Sequence, residues 1–94
     1  MRVTVVNVGG SSRHETSPAG LAWKAHWEQV GGCKFPEKCV CCHQRPAEVG
    51  GHVYIEGSKK QFIVPMCREC NRKPAGTAFP NVDEIWLVPV DPRA

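Results

Sequence analysis

Long apolar runs are missing from this chain: no stretch approaches the ~20 apolar residues of a membrane-spanning helix. No membrane partner is therefore expected. The amino-terminal segment Met1-Arg2-Val3-Thr4-Val5-Val6-Asn7 lacks the apolar core of a secretory signal. A cytoplasmic, reducing compartment is the expectation, and there paired cysteines serve more often as metal ligands than as disulfides. A strong charge of one sign is also absent, with 12 Lys+Arg against 9 Asp+Glu and a net charge of +3. Hydrophobic residues at 41% and charged residues at 22% do not carry the signature of disorder. With 94 residues the chain has room for a single domain, 1–94, large enough to bury a core.

What is present is cysteine, six of them, confined to residues 33–70. Their density falls below that of a secreted disulfide scaffold, and their clustering suggests a local staple. Two Cys-x-x-Cys units stand out, Cys39-Val40-Cys41-Cys42 and Cys67-Arg68-Glu69-Cys70, with 24 residues between them. Two intervening residues let both sulfurs of a unit reach one tetrahedral ion, with the backbone amides of the knuckle turned toward them. Two such knuckles make a closed four-sulfur shell, so Cys39, Cys42, Cys67 and Cys70 are the expected ligands of a structural zinc. Within the first knuckle Cys41 could replace Cys39 or Cys42, His43 competes as a ligand, and Cys33 is more distant. Cys33 and Cys41 are otherwise spare thiols. Cys39-Val40-Cys41-Cys42-His43 also fits the Cys-x-x-Cys-His attachment pattern of c-type haem. No haem is expected, because that chemistry needs an oxidising compartment and leaves Cys67 and Cys70 unexplained.

Around this centre the pattern is α+β. Val3–Val8 is β-branched and reads as a buried strand ended by Gly9-Gly10-Ser11-Ser12. That glycine turn lacks the Gly-Lys-Ser/Thr ending of a phosphate-binding loop. Ser17-Pro18 has the form of a helix N-cap with proline at the first helical position. Leu21, Trp23, Trp27 and Val30 follow at near-helical spacing up to Gly31-Gly32. Trp23 and Trp27 share a face and are expected in the core, with an exposed pair for stacking bases or docking a partner as the alternative. His26 reads as the edge of that stripe. Residues 46–56 and Gln61–Met66 flank the turn Gly57-Ser58-Lys59-Lys60 as a hairpin, and Pro74 curtails a short helix over Arg68–Lys73. A loop with Gly76 and Pro80 then leads to a final strand, Glu84–Val90, placed to pair with Val3–Val8.

Splitting the charge along the chain sharpens it. Residues 57–73 carry Lys59, Lys60, Arg68, Arg72 and Lys73 against Glu69, a net of +4, while residues 74–94 carry a net of −2. The basic excess thus lies on the cysteine-bearing segment, as either a solvated surface or a phosphate-tracking one.

From Cys39 to Lys73, 35 of the 94 residues, the chain resembles the HNH (ββα-metal) endonuclease superfamily within the treble-clef zinc folds. The resemblance is carried by the first Cys-x-x-Cys, by Ala47-Glu48-Val49-Gly50-Gly51-His52-Val53, by Ile63-Val64-Pro65-Met66, and by Cys67-x-x-Cys70-Asn71-Arg72-Lys73. It implies a treble-clef zinc module over 39–73: a knuckle, a hairpin, and a helix whose amino end supplies the second cysteine pair. It also implies that His52 stands at the general-base position and Asn71 at that of the last catalytic-metal ligand. Three departures count against catalysis. Gly51 stands where the family usually has a metal-binding acid, Gln61 and Phe62 occupy the stretch of a usual asparagine, and Pro74 shortens the helix. A Mg²⁺-type ion takes oxygen ligands, generally with one or two carboxylates. The motif itself supplies none, and Glu48 is the nearest substitute.

The expected function is accordingly a zinc-stabilised HNH-like module that binds nucleic acid or a protein partner without cutting, with Lys59, Lys60, Arg68, Arg72 and Lys73 on phosphates. The alternative is a small metal-dependent nuclease, with His52 as base and Asn71 holding Mg²⁺ or a similar ion.

Overall fold

β-Branched residues near the amino terminus form β1 (Arg2–Asn7) in the computed structural model, which describes residues 1–8 and 22–90. β1 lies in the interior of a five-stranded sheet and is buried along Val5–Asn7. The hairpin follows the expected reading: β2 (Val49–Ile55) and β3 (Gln61–Met66) pair antiparallel, from Val49 opposite Met66 to Tyr54 opposite Gln61. Ser58 N–H donates to Ile55 O at 2.9 Å to close the turn. β4 (Ala78–Asp83) and β5 (Val88–Pro89) complete the order β4-β1-β2-β3-β5, antiparallel throughout.

Because side chains alternate across a strand, the sheet has two buried faces. One carries Val5, Val53, Val64, Met66, Phe79 and Val82, and against it pack Cys39, Val40, Cys67 and Cys70. The other carries Ile63 and Val88, and against it packs α1 (Trp23–Gly31) through Trp23 and Trp27. Gly32 ends α1 in the left-handed conformation (φ 76°), and its N–H donates to Glu28 O. The sulfur-bearing segments and the tryptophan helix therefore sit on opposite sides of one sheet.

Both tryptophans are buried, so the alternative of an exposed pair for stacking or docking is corrected. His26 is corrected too: at 3% exposure it is core, not edge, and its Nε2 lies 2.9 Å from Pro89 O. The described part of α1 begins at Trp23, preceded by Ala22 without a side-chain cap. The expected cap at Ser17-Pro18, Leu21 and the turn at Gly9–Ser12 lie outside the described residues.

The largest difference from expectation is at the carboxyl-terminal end. The strand that joins β1 from its other side is β4, in the stretch read as a loop because of Pro80. β4 is an edge strand, where a proline lacking its N–H costs no ladder bond on the solvent side. Glu84–Trp86 is a 3₁₀ turn whose start is held by Asp83 Oδ1 accepting from Ile85 N–H at 3.2 Å. Only Val88–Pro89 of the expected last strand pairs, and with β3. α1 draws that segment in: Trp27 Nε1 donates to Trp86 O at 2.8 Å, and His26 meets Pro89. Among the described residues no helix is long and apolar enough to cross a membrane.

Candidate metal centre

The first knuckle is built by short-range bonds. Cys39 N–H donates to Arg45 O at 2.8 Å, His43 N–H to Cys39 O at 2.9 Å, and Cys41 N–H to Cys39 Sγ at 3.4 Å. Val40 N–H reaches Pro65 O at 3.1 Å, which ties the knuckle to β3 beyond the point where β5 stops. The second pair sits at the start of α2 (Arg68–Arg72): Cys67 is the N-cap, and its Sγ accepts from Cys70 N–H at 3.4 Å. In both knuckles a backbone amide thus points at a sulfur, the arrangement that stabilises thiolate ligands.

The two knuckles converge. Cys42 Sγ lies 3.8 Å from Cys67 Sγ, and the sulfurs of Cys39, Cys42, Cys67 and Cys70 all lie within 4.8 Å of one another. Four sulfurs at ~2.3 Å from a tetrahedral ion stand about 3.8 Å apart, so this group fits a metal ion such as zinc with little adjustment. Cys39, Cys67 and Cys70 are buried and Cys42 is half-buried. Cys41 is outside the group, its amide serving Cys39 instead; Cys33 and His43 are exposed and also outside it. No disulfide joins any of the six cysteines.

Electrostatics separates the sulfurs. The Cys41 thiol hydrogen-bonds to Cys39 and draws its pKa down to about 3 against the opposing effect of burial, while Cys41 itself is pushed up by the same bond and by burial. Burial opposes ionisation of Cys42, but the backbone amides of Arg45 and Gln44 outweigh it and lower its pKa. Cys67 and Cys70 are both pushed up, chiefly by burial. A cluster this close cannot hold four negative charges unaided, and a bound divalent cation would supply the compensating charge for four thiolates.

His43 adopts φ 60° to close the first knuckle, and its side chain is exposed. A β-carbon in the left-handed region costs about 1–2 kcal/mol, part of which glycine returns as unfolded-state entropy. His43→Gly is expected to raise stability by up to about 1 kcal/mol, read as a thermal midpoint several degrees higher. A lower midpoint would show that the imidazole makes a contact worth more than the strain.

The other expected site residues are scattered. His52 is 4% exposed and packs edge-on against Trp23, ring centroids 4.4 Å apart. Its neighbour Val53 belongs to the sulfur-bearing face, so alternation turns His52 to the α1 face. Asn71 belongs to α2 on the sulfur side, where its N–H donates to Cys67 O at 3.1 Å. Gly51 has its missing side chain directed at Met66: a β-carbon there would overlap Met66 Sδ and stand 3.0 Å from Cγ. Glu48 is exposed and pairs with Arg68, Nε to Oε2 at 3.1 Å.

The basic residues form two groups. Lys59 and Lys60 lie at the hairpin turn, whereas Arg68, Arg72 and Lys73 follow the opposite end of β3, about 17 Å along the strand. Arg68 is engaged by Glu48, and Lys73 Nζ sits 6.0 Å from the Phe79 ring centroid. Arg72 is exposed.

Sequence reasoning missed Asn7. It is fully buried, and its Nδ2 donates to Lys73 O at 2.7 Å and, over a longer 3.5 Å, to Cys70 O. The available signal was one carboxamide inside a β-branched run. Compared with known protein families, curated proteins and solved structures, the chain matches none.

Proposed function

We propose that the chain is a zinc-stabilised, non-catalytic module of HNH-like build that binds nucleic acid through the basic end of α2. The observation that carries the non-catalytic reading is the placement of His52. A general base must reach water and the scissile group, and this histidine is 4% exposed and packed edge-on under Trp23. The metal group adds support, since four sulfurs complete a tetrahedral shell and leave no position for substrate or water. Zinc here is a structural ion: it holds the knuckle, the hairpin and α2 together. Arg72 and Lys73 adjoin that ion-bearing helix, and their charge, unlike that of Arg68, is not opposed by a paired carboxylate among the described residues.

Gel-shift titrations of the zinc-loaded chain with single- and double-stranded DNA and RNA at low salt test the reading. Binding is expected to weaken steeply with salt, as counterion release demands. Arg72→Ala/Lys73→Ala is expected to flatten the logarithmic salt slope by about 2, one per lost phosphate contact, while Lys59→Ala/Lys60→Ala leaves it nearly unchanged. Absence of binding to every nucleic acid would turn the reading toward a protein partner. Plasmid nicking that requires Mg²⁺, Mn²⁺ or Ni²⁺ and is lost in His52→Ala would overturn the non-catalytic reading in favour of a nuclease.

A further inference from the structure

Five residues make a helix too short to persist alone, since isolated helices below ~12–15 residues are marginal in water. Half of the metal ligands nevertheless depend on it, because Cys67 caps α2 and Cys70 lies within it. Its amino end is fixed by the Cys70 N–H to Cys67 Sγ bond. At its carboxyl end the Lys73 N–H donates to Cys70 O at 3.2 Å, and the further restraint comes from elsewhere in the chain.

Asn7 supplies that restraint. The side-chain amide spans from β1 to two carbonyls at the end of α2, Lys73 O and Cys70 O. Both partners are acceptors, so the nitrogen of the amide must face them, and Oδ1 is buried without a partner among the described residues. A buried carboxamide with an unused oxygen is kept for its donors. The backbone of Asn7 clamps the same segment: its N–H donates to Thr77 O at 2.8 Å, and its carbonyl accepts from Gly76 N–H at 2.9 Å. Four hydrogen bonds from one residue thereby fix residues 70–77 to the central sheet. Val6, one position earlier, faces the opposite side and makes none of these side-chain contacts.

We propose that Asn7 is a positioning residue for the metal centre, holding α2 so that the Cys67–Cys70 pair meets the Cys39–Cys42 pair at the spacing a tetrahedral ion requires. The inference rests on the four-sulfur group being a metal site and names the residue that preorganises it. Outer-shell partners of metal ligands typically contribute 10–100-fold to metal affinity, and a residue acting on a ligand's main chain is expected near the lower end.

The test uses the full chain loaded with zinc, or with Co²⁺ as a spectroscopic stand-in, in Asn7→Asp, Asn7→Leu and Val6→Ala. Asn7→Asp sets a carboxylate against two carbonyls; Asn7→Leu keeps the approximate volume and removes the donors. Both are expected to release zinc to a chromogenic chelator about tenfold faster than wild type and to alter the cobalt ligand-field bands. Val6→Ala is expected to lower the thermal midpoint while leaving both readouts at the wild-type values. Should Asn7→Asp fail to fold, Asn7→Leu carries the comparison. Wild-type release and an unchanged cobalt spectrum in the Asn7 variants would overturn the inference. So would Val6→Ala releasing zinc equally fast, because Asn7 would then contribute only general stability. A wild-type chain that takes up neither metal overturns the metal reading itself, which separates that failure from one confined to Asn7.

Discussion

Stripping the metal from the zinc-loaded protein is expected to unfold residues 39–73 and to loosen the sheet with them. The four ligands are not an appendage. Cys39, Cys67 and Cys70 are buried in the same cluster as Val5, Val53, Val64, Met66 and Val82. A metal holding them therefore closes the core of that face. Structural zinc contributes roughly 10–16 kcal/mol of apparent binding free energy in small zinc modules, comparable with or larger than the ~5–15 kcal/mol net stability of a whole domain. Without it, burial leaves Cys67 and Cys70 protonated, and nothing replaces the four bonds that join the knuckle to a one-and-a-half-turn helix. Amide proton spectra before and after chelation measure this: the dispersed signals of β2, β3 and α2 should collapse and return when zinc is restored. Cys67→Ser should do the same without chelator, whereas Cys33→Ser, at an exposed thiol outside the group, should keep stoichiometric zinc. Full dispersion retained after chelation would show that the apolar faces alone hold the fold.

The parts of this structure that could be read from sequence are those whose cause is local. Cys-x-x-Cys spacing, a Gly57-Ser58-Lys59-Lys60 turn between two extended runs, and a proline just past Lys73 each dictate their own geometry, and the knuckles, the hairpin and α2 stand where they were expected. What could not be read depends on a distant partner. Ala78–Asp83 is a strand because β1 offers it an edge, despite Pro80 and a left-handed Asn81 (φ 65°). Glu84–Trp86 alternates no worse than a strand, yet Asp83 turns it and Trp27 Nε1 donates to the Trp86 carbonyl at its end. His26 and Asn7 are polar residues whose burial makes sense only once Pro89 and Lys73 are beside them.

His52 shows the limit of a motif most clearly. Its place in the chain was given by the resemblance, but its face is set by register, and moving one position along a strand reverses the face. The register pairs His52 with Ile63 and Gly51 with Val64, so in this protein the histidine turns to the tryptophans and the glycine to the sulfur side.

Introducing at position 51 the acid that the resembled family carries before its histidine is for that reason expected to break the fold rather than to create a nuclease. In Gly51→Asp the new β-carbon would overlap Met66 Sδ. Met66 has no exposed surface into which to retreat, and it packs among Val53, Val64 and the ligand cysteines. Overpacking of this kind costs about 1–3 kcal/mol. The carboxylate adds about 2–7 kcal/mol for a buried polar group without a partner, before any repulsion from the nearby thiolates. The sum approaches the entire stability of a domain of this size. Gly51→Asp should therefore be recovered unfolded or with its thermal midpoint lowered by tens of degrees, and Gly51→Ala, which has the clash without the charge, should fall between it and wild type. Trimming the obstacle in Gly51→Ala/Met66→Ala should recover part of the alanine variant's loss, because the two side chains contend for one space. Metal-dependent nicking by a stably folded Gly51→Asp protein would overturn this account, since it would require Gly51 to lie on the face of His52. The glycine at 51 is then a packing requirement of the hairpin, leaving Met66 its place in the core around the sulfur group.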